Sequence, residues 1–164
     1  MTALSLTAAL AGSGLITAGP AQAATSACKS TSSTIALPGK PDVKVTAKIC
    51  VRLDQVTSGY RYYEAWVDKV SWDGTGFYTG GQRFNSIYVR VRLEHYGTSK
   101  DHADEYVTSQ INDSEAGSYG AFYDSATVRT TSTNWTADGT IYADVADDGK
   151  GHLKYGLAGT ATVR

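Results

Sequence analysis

No charged side chain occurs before Lys29. Residues 4–18 are small and apolar, and Ala21-Gln22-Ala23 has the small-x-small pattern of a signal-peptidase site. Residues 1–23 are therefore read as a signal peptide cleaved after Ala23. The missing basic n-region is what a start downstream of the true one would leave. A membrane anchor is disfavoured, because the run is short of the ~20 apolar residues a spanning helix needs and is diluted by Ser, Thr and Gly.

Cysteine is nearly absent: only Cys28 and Cys50 occur. In an exported chain two cysteines pair, which leaves no thiol for nucleophilic or metal chemistry. The bridge closes a loop with 21 residues between its ends. Chain-entropy reasoning puts that at about 3 kcal/mol. It would pin a Ser- and Thr-rich N-terminal segment, residues 24–41, onto the strand that carries Cys50.

Net charge is −1 and the pI is near 6.3, so a nucleic-acid partner is not expected, and neither is a membrane once the leader is removed. The charges are nevertheless unevenly placed. Residues 29–100 hold eleven Lys/Arg against six Asp/Glu, and residues 101–164 hold four against ten. Such halves either neutralise each other inside the fold or orient a partner.

Catalytic signatures are also missing. There is no G-x-S-x-G elbow. The four glutamates, Glu64, Glu94, Glu105 and Glu115, show no pairing of the kind glycoside cleavage requires. A hairpin could bring His95, His102 and Glu105 together, yet their spacing matches no zinc motif, and a solvated loop is expected there. Asp138, Asp144, Asp147 and Asp148 lack calcium-loop spacing and read as turn residues. No cofactor or metal is expected. Asn112-Asp113-Ser114 and Asn134-Trp135-Thr136 match the glycosylation pattern, which matters only in a eukaryotic secretory host.

Leucine, methionine and proline are scarce, while Tyr, Thr, Val and Gly are abundant, a composition that favours strands. Val43, Val45, Ala47, Ile49, Val51 and Leu53 alternate with Lys44, Thr46, Lys48, Cys50 and Arg52. Successive strand side chains point to opposite faces, so this is a half-buried strand with Cys50 on its wet side. A strand over 60–72 changes register, because Tyr63, Ala65 and Val67 share a face that Val70 and Trp72 regain only through a bulge. Ile87, Val89, Val91 and Leu93 form the second clear alternation. Residues 34–37, 122–130, 133–145 (broken near Asp138-Gly139) and 153–163 complete the strands. Residues 97–102 and 112–120 read as polar loops, residues 104–111 are ambiguous, and Asp147-Asp148-Gly149 is a hairpin turn.

The expectation is an all-β domain over residues 42–164. It is a single antiparallel β-sandwich, Ig-like or jelly-roll-like, of seven to nine strands with one disulfide. Two faces are candidate binding surfaces. Lys44, Lys48 and Arg52, with Tyr88, Arg90 and Arg92, are candidate partner-binding residues. Tyr60, Tyr62 and Trp66 are candidate glycan-binding residues if Tyr62 and Trp66 lie at the surface rather than in the core.

The functional expectation is a secreted, extracellular, non-catalytic protein-interaction domain, of the kind found in exported bacterial proteins. It would serve as an adaptor or subunit of an extracellular assembly of toxin, inhibitor or adhesion type, with another secreted protein as its partner. A secreted carbohydrate-binding module is the alternative. A small hydrolase without an identifiable site comes third.

Overall fold

The computed structural model describes residues 25–74 and 82–164. The leader read over residues 1–23 lies outside the described residues, as does the glycine-rich connection at 75–81. The described residues form β1 (Ser26–Ile35), β2 (Val43–Thr57), β3 (Tyr60–Gly74), β4 (Phe84–His95) and β5 (Thr98–Tyr106). The short helix α1 (Thr108–Asp113) follows, then β6 (Ala116–Tyr119), β7 (Ser125–Thr130), β8 (Trp135–Val145) and β9 (His152–Gly156).

Two antiparallel sheets make a β-sandwich. One runs β1-β2-β3, with β6 and β7 placed end to end along the far side of β3. The other runs β5-β4-β8-β9. The alternations read from the sequence supply the core. Val43, Val45, Ala47, Ile49 and Val51 of β2 are buried with Ile87, Val89, Val91 and Leu93 of β4, and with Ala137, Ile141 and Ala143 of β8. Fully burying a Val, Ile or Leu side chain contributes roughly 1.5–3 kcal/mol. The expected bulge is present. Val67 pairs with Ile49 and Lys69 with Lys48, so Asp68 is the extra residue, and Val70 and Trp72 return to the core face.

Several expectations are corrected. Residues 97–102 are not a loop. Tyr96 and Gly97, at φ 50° and 73°, turn the chain tightly, and β5 begins at Thr98. Residues 116–119 within the second supposed loop pair with β3. Strand β8 is unbroken through Asp138-Gly139. Its Gly139 meets the C-terminal segment so closely that a Cβ would lie 2.8 Å from Leu157 Cδ1 and 3.0 Å from the Arg90 carbonyl oxygen. The glycine answers close approach, not a turn.

The N-terminal segment is also more ordered than expected. β1 pairs with β2 along its whole length, so the Cys28–Cys50 disulfide joins residues directly opposite on neighbouring strands. Cys50 lies on the outer face by alternation, yet it is only 1% exposed. The bridge to Cys28 on one side and Trp66 in register on the other leave no open water at its sulfur.

Polar side chains clasp the sandwich at both open sides. From β5, Asp101 Oδ2 accepts the Thr127 N–H at 2.8 Å, and Glu105 Oε1 accepts the Asp124 N–H at 2.9 Å. On the other side the Ala158 N–H donates to Thr31 Oγ1 at 2.9 Å. Beyond β9 the chain keeps following β8. The Leu157 and Thr160 N–H groups donate to the carbonyls of Gly139 and Ala137, and Val163 bridges Trp135. At one end Arg83, 2% exposed, donates to the carbonyls of Ile111 and Ser114, satisfying groups that the end of α1 leaves open.

Candidate binding faces

On the outer face of the four-stranded sheet, alternation sends Tyr88, Arg90 and Arg92 outward while Val89 and Val91 turn in. Register then adds residues that sequence reasoning missed. Tyr88 pairs with Tyr106 on β5 and with Tyr142 on β8, and Tyr142 pairs with Lys154 on β9. The Tyr88 and Tyr142 rings stack at 4.8 Å with 5° between their planes, and Tyr106 lies 4.9 Å from Tyr88 on the other side. His152 meets Tyr88 edge-on at 5.6 Å. Burial in this row pushes the Tyr88 phenol above its ordinary pKa; Arg90 offsets part of that rise. The alternation of β8 already points Tyr142 outward, but nothing in a single strand says which tyrosine will stand beside it.

The next row is ionic. Arg90 donates to Asp104 through Nε (2.7 Å) and Nη2 (2.6 Å). The hydrogen-bonded carboxylate raises the Arg90 pKa. Arg90 and Lys154 both lie over the Tyr142 ring, at 5.3 and 5.5 Å. In the row beyond, Arg92 reaches Glu94 at 3.1 Å and Asp138 at 3.1 Å.

On the outer face of the five-stranded sheet, Lys48 pairs with Asp68 at 2.8 Å. Arg52 pairs with Glu64 at 2.7 Å and Asp54 at 3.2 Å. Lys44 is exposed and makes no ion pair among the described residues. The cationic outer face expected from Lys44, Lys48 and Arg52 is thus largely neutralised, by carboxylates of the same basic half of the sequence. Tyr60, Tyr62 and Trp66 do share this face. Tyr60 is 38% exposed, and Tyr62 and Trp66 are half-buried, so neither belongs to the core.

Two adjoining hollows open here. The larger, about 460 Å³, is bordered by Arg52, Asp54, Tyr62, Glu64 and Arg129. The smaller, about 240 Å³, is bordered by Arg52, Glu64, Trp66, Tyr123 and Asp124. Arg129 and Tyr123 come from β7 and the segment before it. Sequence reasoning missed both, because only the β3–β7 pairing places them beside Tyr62 and Trp66.

Other candidates are dispersed. His95 stacks on Trp135 at 5.0 Å, and its Nε2 lies 3.1 Å from the Thr133 carbonyl oxygen. His102 and Glu105 fall on opposite faces of β5. Among the described residues no group of three His, Cys, Asp or Glu side chains is placed to hold a metal ion. Asn112 is locked into the fold: its Oδ1 accepts the N–H groups of Arg83 and Phe84, and its Nδ2 donates to the Phe84 carbonyl. Among the described residues no helix is long and apolar enough to cross a membrane. Comparison with known proteins gives no match among family models, curated proteins or solved structures.

Proposed function

We propose that the protein is a secreted, non-catalytic interaction domain, an adaptor or subunit of an extracellular protein assembly, which docks a partner protein on the outer face of its four-stranded sheet. The observation that carries this reading is the row Tyr106–Tyr88–Tyr142, flanked by Arg90, Arg92 and Lys154. Tyr and Arg are the residues enriched at protein interfaces and at their energetic centres.

The stacking matters. Rings packed face to face across a sheet turn their edges and hydroxyls outward, which offers hydrogen bonds set on a stiff base. The bidentate Arg90–Asp104 pair and the Arg92 bridges hold the flanking side chains, so little side-chain freedom remains to be lost on docking. The disulfide is in keeping with an oxidising, extracellular setting.

The test is affinity capture from native culture fluid, with wild type beside a Tyr106→Ala/Tyr142→Ala variant. A protein enriched by the wild type and lost by the variant is the expected result. A wild type that migrates at monomer mass and captures no protein overturns the reading.

A further inference from the structure

The hollows on the five-stranded sheet lie on the far side of the sandwich from the tyrosine row. We infer that they form a second, independent site, and that its ligand is a neutral glycan. Three observations point there.

The first is the balance of charge. Arg52 is paired with both Asp54 and Glu64, and the three together carry one negative charge. Arg129, at the same hollow, makes no ion pair among the described residues and carries one positive charge. An anion would meet the carboxylates, and a cation would meet Arg129. A sugar hydroxyl donates and accepts at once, so it can donate to Asp54 or Glu64 while a neighbouring hydroxyl accepts from Arg129.

The second is how the guanidinium groups are held. Arg129 lies 3.7 Å from the Tyr60 ring centroid and 5.9 Å from that of Tyr62. Arg52 lies 5.4 Å from that of Trp66. Stacking fixes the planar fork of Arg129 while leaving its in-plane N–H groups available, whereas Arg52 already gives Nε and Nη2 to Glu64 and Asp54.

The third is the rings themselves. No ring stacking links Tyr60, Tyr62 or Trp66 to one another among the described residues, unlike the tyrosines of the other sheet. Tyr62 and Trp66 border a recess that runs on from one hollow to the next, meeting at Arg52 and Glu64. Aromatic surface beside planar polar groups suits a pyranose, whose apolar C–H face is ringed by hydroxyls.

The site is tested by titrating the folded protein with cellohexaose, xylohexaose and mannohexaose, read by tryptophan fluorescence and calorimetry. Saturable binding of at least one is expected, weakened about tenfold or more by Trp66→Ala. Trp66 sits beside the disulfide, so Tyr62→Ala and Arg129→Ala, at positions away from it, are run in parallel. Each should weaken binding with an unchanged melting temperature. No saturable binding to any of the three sugars, binding to heparin alone, or binding indifferent to both Tyr62→Ala and Arg129→Ala overturns the inference. The Tyr106→Ala/Tyr142→Ala variant should bind sugar as the wild type does, so failure of protein docking and failure of glycan binding are told apart.

Discussion

Arg90 and Asp104 stand opposite each other on β4 and β5, joined by two parallel hydrogen bonds of 2.7 and 2.6 Å. The pair sits between the tyrosine row and the Arg92 bridges and fixes the spacing of both. Fork-to-fork geometry and partial burial put it above an ordinary surface ion pair. Asp104→Asn should destabilise the domain by about 1–2 kcal/mol in urea unfolding. A loss indistinguishable from zero would mean that the pair is ornamental.

Reduction of the disulfide should be costly although it joins adjacent strands. Cys28→Ala/Cys50→Ala restores freedom to the unfolded chain and exposes an edge strand to fraying. The expected loss is about 2–4 kcal/mol, a fall in melting temperature on the order of 10 °C. Thermal melts with and without dithiothreitol should show the same fall in the wild type and no change in the variant.

Gly139→Ala places a methyl group against the Arg90 carbonyl and Leu157. The side chain of Leu157 can move, but the β4 backbone cannot do so without disturbing its pairing. A loss of about 1–3 kcal/mol is expected in chemical denaturation.

Glu105 carries a pH signature. It is 8% exposed, and burial raises its pKa above 4.5 despite the bond from the Asp124 N–H; the Asp124 and Asp104 carboxylates add to the rise. A carboxyl raised in the folded state favours folding when protonated. Its penalty is absent below about pH 4.5, grows between there and the raised value, and is constant above it. Glu105→Gln keeps an acceptor for the Asp124 N–H and removes the charge. The variant should match the wild type in melting temperature at pH 4 and exceed it at pH 7. A constant difference across that range would contradict the assignment.

Deleting residues 157–164 should abolish cooperative unfolding. Val163 is fully buried, and the segment supplies partners for the backbone of Trp135, Ala137 and Gly139. A shortened protein that still melts sharply, followed by tryptophan fluorescence, would show that β8 needs no such cover.

Much of the fold is legible in the sequence. The alternations in residues 43–53 and 87–93 are period-two signals that one strand carries by itself, and the Asp68 bulge was visible as a change of phase between Val67 and Val70. The polar strands were not legible. β1 and β5 are rich in Ser, Thr, Lys and Asp because they run along sheet edges, where one face or side meets water, and β6 is only the four residues Ala-Gly-Ser-Tyr. Their composition resembles that of loops. Gly139 was misread for a related reason, since a glycine that admits a neighbouring chain cannot be told locally from one that breaks a strand.

The sequence alone determined the all-β class, the inward and outward faces of β2, β3 and β4, and the one disulfide its two cysteines allow. Each follows from local periodicity or from counting. Tertiary structure decided which outward residues meet. Tyr142 and Tyr106 flank Tyr88, Arg129 reaches Tyr60, and Lys48 and Arg52 find carboxylates that neutralise most of the cationic face expected of them. Those meetings depend on strand order and register, which arise from packing two whole sheets together and which no single strand encodes.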